Sequence, residues 1–163
     1  MEIDELAQYL QKNDMVLGLD PGKKTIGIAL ASVALGVATP LQTIRRVKFS
    51  KDVLILKSII DEYQARALII GLPLHIDGSE GRRVQSVKDF GMGIKQALPD
   101  IEIAFWDERF SSHHMENFLI DQADLSRGKR SAVIDKLAAQ HILQGAIDKI
   151  RHLKDISYMN ADL

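Results

Sequence analysis

A mixed α/β fold, with a five-stranded sheet flanked by helices, is what three features of this 163-residue chain predict. Two apolar runs, VLGLD and TIGIALAS, are separated by a turn beginning Pro21-Gly22, the pattern of an antiparallel hairpin. ALIIGLP is short, wholly apolar and closed by Gly71 and Pro73, which suits a central parallel strand buried on both faces. Segments of helical period then alternate with such runs, as they do when helices cover the faces of a sheet.

In chain order, a short helix is expected from Ile3 to Leu10, followed by the strand VLGLD, which ends on Asp20. TIGIALAS returns beside it, and Val37 to Ile44 adds a third strand, completing an antiparallel meander. KDVLILKSIIDEY places Val53, Leu54, Leu56, Ile59 and Ile60 on the stripe of an amphipathic helix. After the strand ALIIGLP and the turn-like HIDGSEG, a helix from Arg82 to Leu98 buries Val84, Val87, Phe90 and Ile94, and Pro99 stops it. IEIAFWDER is the fifth strand. Two helices close the chain, His113 to Asp121 and Ser131 to Arg151, and the residues after Leu153 carry no clear signal.

Residues 1–163 read as one domain with its core at about 15–150, since nothing in the length asks for two. With 46% hydrophobic and 26% charged residues the chain has the balance of a folded globular protein rather than a disordered one. The absence of cysteine excludes a disulfide framework and thiolate zinc sites. The acidic, amphipathic start is no secretory signal, and no apolar run makes a membrane span, so a cytoplasmic protein without membrane attachment is expected. A formal net charge of −1 gives no global sign of a polyanionic partner. Any nucleic-acid surface must come from local clusters: Lys23-Lys24, Arg45-Arg46 with Lys48 and Lys51, Arg82-Arg83, and Arg127 with Lys129-Arg130. Each of these alone reads as a solvated face.

Ligand sites in open α/β sheets gather beyond the carboxyl ends of parallel strands. Asp20 and the pair Asp107-Glu108 end their strands there. One acid at a strand end is ordinarily a turn cap. Asp135 changes the balance, because it shares helical spacing with Ala138, Ala139 and Ile142, a small-residue stripe that lets the helix pack closely and turns the carboxylate inward. The competing reading is that Asp135 merely complements the helix dipole, worth roughly 0.3–1 kcal/mol in the first turn. Three converging acids are costly unless protonated or neutralised, and a divalent cation is the usual remedy. Oxygen ligands alone point to Mg²⁺ or Mn²⁺ rather than zinc. Two such ions about 3.5–4 Å apart suit phosphodiester hydrolysis, with Lys23, Arg109 and Arg130 free to grip phosphates. Successive strand residues face opposite sides, so one acid of Asp107-Glu108 enters the site, with Glu108 favoured. GLDPGKKT has the flavour of a phosphate-binding loop but the wrong spacing, and the adjacent His113-His114 point apart.

In three ordered segments the chain resembles the YqgF (RuvX) family of the ribonuclease H-like superfamily. VLGLDPGKKTIGIALAS resembles its first-hairpin motif, IIGLPLHIDGSEG its central loop, and WDERFSS with KRSAVIDKLAAQHIL its C-terminal pair. The likeness runs from about Met15 to Ile147. It implies a ribonuclease H-like fold, with Asp20, Glu108 and Asp135 as catalytic acids and Gly22, Arg109 and Gly71-Leu72-Pro73 shaping the site. It also implies a nuclease that matures the 5′ end of the precursor of 16S ribosomal RNA, acting as a monomer or homodimer. Resolution of Holliday junctions, a non-catalytic role in RNA binding and assembly, and nucleotide binding of the actin and sugar-kinase type are the alternatives. The last would need two such domains.

Overall fold

The computed structural model describes the backbone of residues 1–74, 81–108 and 127–161, and the side chains of those residues outside 127–131 and 156–161. Strand β1 (Met15–Pro21) lies at the centre of a five-stranded sheet of order β3-β2-β1-β4-β5. It pairs antiparallel with β2 (Thr25–Ser32), and β2 pairs antiparallel with β3 (Ala38–Arg45). On its other side β1 runs parallel to β4 (Ala65–Leu72), and β4 runs parallel to β5 (Glu102–Asp107). The predicted meander plus parallel strands is thus the observed sheet. The IleIle run of β4 is wholly buried because helices cover both faces.

Four described helices do the covering: α1 (Ile3–Tyr9), α2 (Phe49–Tyr63), α3 (Arg82–Ala97) and α4 (Arg127–Ala161). Strand alternation sorts the core into two clusters. Val16, Ala29, Ala31, Ala67, Ile69 and Ala104 face α1 and α4. Leu17, Leu19, Ile28, Leu68, Ile70 and Ile103 face α2 and α3. None of the described helices is long and apolar enough to cross a membrane.

Two boundaries differ from expectation. The last helix begins at Arg127 rather than Ser131 and runs to Ala161 rather than Arg151, 35 residues in all. Apolar period marks only the part that packs; once that part is anchored, neighbouring Arg, Lys, Met and Leu extend the helix at little cost. Lys154, in the extension, donates to the Leu10 carbonyl that ends α1. The fifth strand stops at Asp107, leaving Glu108 just beyond it, although the Glu108 N–H still donates to Leu72 O at 3.2 Å. The segment 75–80 and the predicted helix from His113 to Asp121, with its His113-His114 pair, lie outside the described residues.

The sheet lets α4 come unusually close by presenting glycines beneath it. At Gly18 an added Cβ would lie 2.6 Å from Leu143 Cβ and 3.0 Å from Ala139 O. At Gly27 it would overlap the main-chain carbonyl of Asp135, and at Gly71 the tip of Ile142. Polar ties fix the rotation of the helix: Thr43 Oγ1 donates to Ala132 O at 2.8 Å, and Gln144 Nε2 to Gly36 O at 2.9 Å. Gly27→Ala must move helix backbone rather than a flexible side chain, so a loss of roughly 3 kcal/mol or more is expected. Urea denaturation would show it as a lowered midpoint at unchanged slope, and a midpoint equal to wild type would refute the close packing.

Candidate active site

The strand register that builds the core also selects the acids. On β1, Val16 and Gly18 face α4, and by alternation so does Asp20, which lies opposite Gly27 in the β1–β2 ladder. On β5, Ala104 and Trp106 pack on the α4 side while Ile103 and Phe105 pack on the other. Glu108 therefore emerges toward α4, and Asp107 is in register with the opposite face. Asp135 comes down from α4 directly above Gly27. Asp20, Glu108 and Asp135 thus lie on one face of the sheet, at the carboxyl end of β1 and just past that of β5.

Asp135 lies more than two turns inside α4, because that helix starts at Arg127. A dipole fades within the first turn, so it does not account for the acid. Its carboxylate instead accepts a hydrogen bond from Thr25 Oγ1, which shares the α4 face of β2 with Gly27. Glu108 is packed against the bare backbone of β4: a Cβ on Gly71 would stand 2.5 Å from Glu108 Oε2.

Electrostatics bind the three together. Burial raises the Asp20 carboxyl from 3.8 to about 6; the charge of Asp135 adds to this and that of Arg83 opposes it. Burial likewise raises Glu108 from 4.5 to about 7, with Asp20 adding, Arg83 again opposing and the neighbouring Asp107 adding a little more. Asp135 is raised by burial and partly relieved by the Thr25 hydrogen bond. The acids feel one another, and Arg83 offsets this only in part. Among the described residues no three His, Asp or Glu side chains close around one point as a ready-made cage.

Of the cations proposed to grip phosphate, Lys23 is exposed on the β1–β2 turn. Arg109 and the side chain of Arg130 lie outside the described residues. Sequence reasoning passed over Thr25 and Arg83. Thr25 was open to discovery through its two-residue spacing from Gly27; Arg83 was hidden within a pair that reads as a solvated face. It instead donates from Nη2 to Pro21 O at 3.0 Å, on the turn after Asp20.

A mixed sheet of this order, with helices on both faces, is the architecture of the ribonuclease H-like class. The yeast mitochondrial Holliday junction resolvase Ydc2 shares the fold with a TM-score of 0.55 at 10% identity, over 96% of this chain and 89% of that one. Thermus thermophilus RuvC, solved in complex with a Holliday junction substrate, gives 0.51 at 11% identity, over 82% and 93%. Sequence narrows the class further. The profile of the RuvX family, described as Holliday junction resolvase, matches residues 14–149, and the chain belongs to that family. Relatives from Caulobacter vibrioides and Methylocella silvestris, each 45% identical over 94% of this chain and covering 98% and 94% of their own lengths, are named "Putative pre-16S rRNA nuclease".

The raised acids have a consequence for stability. Between about pH 4 and 7 the folded protein holds protons on Asp20 and Glu108 that the unfolded chain has released, so stability falls as pH rises through this window. In EDTA, thermal unfolding is expected to show a melting temperature that declines from pH 4 to 7, with a shallower decline for Asp20→Asn. Identical slopes for the two proteins would refute the shared burial of these charges.

Proposed function

We propose that this chain is a metal-dependent nuclease that hydrolyses phosphodiester bonds in 5′-end maturation of pre-16S ribosomal RNA, with Asp20, Glu108 and Asp135 as the metal-binding acids. The observation that supports it is the gathering of three carboxylates on one sheet face, two of them raised toward neutrality by burial and by neighbouring acids. The substrate reading is supported by the names of relatives that align with nearly the whole chain, and it implies the cytoplasm as workplace. Family membership carries the reaction class, hydrolysis of phosphodiester bonds.

The donor set fits hard divalent cations, Mg²⁺ or Mn²⁺, which take oxygen ligands. When bound, the metal supplies a Lewis acid and an activated water. The protein's own work is to hold the carboxylates in register. Thr25 orients Asp135 through its hydroxyl, and burial keeps bulk water from competing for the acids. Asp107, on the other face, stays outside the set. Lys23, with Arg109 and Arg130, takes the substrate's phosphates.

The test is cleavage of a pre-16S fragment beside a four-way DNA junction, in Mn²⁺, Mg²⁺ or EDTA. Metal-dependent trimming of the RNA is expected, and Asp20→Asn should lose more than the roughly 100-fold that removal of an outer-shell partner brings. Full activity in that variant would sink the site. Cutting of the junction alone would replace the substrate reading with resolvase activity, and RNA binding without cleavage would replace it with an assembly role. Thr25→Val is expected to weaken Mn²⁺ binding about 10–100-fold, by calorimetry, while the protein stays folded.

A further inference from the structure

Two arginines outside the acid set converge on the turn that follows Asp20. Arg46 Nη1 donates to Gly22 O at 2.6 Å, and Arg83 Nη2 donates to the preceding carbonyl, Pro21 O, at 3.0 Å. They arrive from different elements, Arg46 just past β3 and Arg83 in the first turn of α3. With Val87 and Phe90 between them they line a cleft of about 40 Å³.

Arg46 is itself anchored. Its Nε lies 3.9 Å from Asp52 Oδ2, and its guanidinium carbon sits 5.0 Å from the centroid of the Phe90 ring. The Asp52 side chain is only 3% exposed, and its Oδ1 accepts the Val47 N–H at 3.1 Å. Burying a carboxylate is costly unless it is paired and hydrogen-bonded, so this acid is placed where it fixes a guanidinium. Arg83 stands where a cation is disfavoured, since α3 opens on Arg82-Arg83 with no acid in its first turn. Its reach to Pro21 accounts for that placement.

The turn has reason to need holding. Asp20 is the last residue but one of β1, where the ladder runs out, and the neighbouring acids repel it. We propose that the Asp52–Arg46 pair and Arg83 form a two-point clamp on the Pro21-Gly22 turn, positioning Asp20 for cation binding without contacting substrate. The proposal rests on the reading of Asp20 as a metal ligand. Lysine cannot replace Arg46 in it, because one ammonium cannot span Asp52 and Gly22 O as a planar guanidinium does.

The test uses Arg46→Lys, Arg83→Met and the double variant Arg46→Met/Asp52→Asn, which leaves no stranded buried charge. Exchange of the Gly22 amide, which donates to Thr25 O at 2.7 Å, reads the clamp directly and should be about 10-fold faster in each variant. Mn²⁺ affinity measured by calorimetry should fall roughly 10–100-fold. For RNA cleavage kcat should fall while KM stays within about threefold, the pattern of lost positioning rather than lost substrate binding. Unchanged Gly22 exchange overturns the clamp. So does raised KM at wild-type kcat and Mn²⁺ affinity, with rescue by Arg46→Lys, which would make these arginines phosphate contacts. Asp20→Asn serves as control: if it binds Mn²⁺ as tightly as wild type, the metal-site reading falls, and Gly22 exchange still decides the clamp.

Discussion

The close approach of α4 to the sheet is the constraint on which the rest of this structure depends. Asp135 carries a short side chain, and its backbone must come almost onto the strands for the carboxylate to meet groups at the end of β1. Gly27 makes this possible, because the Asp135 carbonyl occupies the volume a Cβ would fill. Gly18 and Gly71 extend the same channel beneath Leu143 and Ile142. Along α4, Ala139, Leu143 and Ala146 are fully buried in the cluster that also holds Val16, Ala29 and Ile69. Apolar burial therefore sets the height of the helix, and the height of the helix assembles the acids.

Much of this was legible before the structure, for physical reasons that differ by element. The hairpin was legible because Pro21-Gly22 leaves the chain little choice but to turn, and β4 because ALIIGLP has no polar face to show to water. The α4 face was legible from the small-residue spacing Asp135, Ala138, Ala139 and Ile142. Its length was not, since residues 127–130 and 152–161 extend the helix beyond the apolar period that marks its packed face. Alternation announced that only one of Asp107 and Glu108 could join the site. Choosing Glu108 on geometry requires knowing that α4 covers the Ala104 and Trp106 side, which is a tertiary fact. Arg83 shares that difficulty, since its partner Pro21 lies 62 residues away, whereas for Thr25 the spacing from Gly27 gave its face but not its partner Asp135, 110 residues away.

The site runs against the preferences of the fold around it. Burial and neighbouring acids make Asp20 and Glu108 reluctant to ionise, α3 opens on two cations, and Asp52 is buried with its charge. Away from this end the local rules hold, with apolar residues filling both faces of the sheet. A conflict confined to one end of one sheet marks where selection has favoured chemistry over stability. Arg83 shows how the conflict is moderated: it opposes the raised acidity of both acids while binding the backbone beside one of them.

Cavity size alone would point elsewhere. A pocket of about 390 Å³ lies at the opposite end of β4 and β5, between Tyr9, Ile60, Arg66 and Leu98. Its size would suit a small ligand, yet neither Asp20, Glu108 nor Asp135 reaches it. Among the described residues, a cleft of about 40 Å³ lies on the turn that follows Asp20. On the proposed reading the substrate is a nucleic-acid backbone, too long to be enclosed, that is laid across a surface. Its negative charge must also be met by cations before it can approach three carboxylates. With a formal net charge of −1 the chain supplies no such attraction globally. On that reading, attraction comes locally, from Lys23 on the turn and from the divalent ions that the acids would hold, which would reverse the sign of the surface where a phosphate would sit.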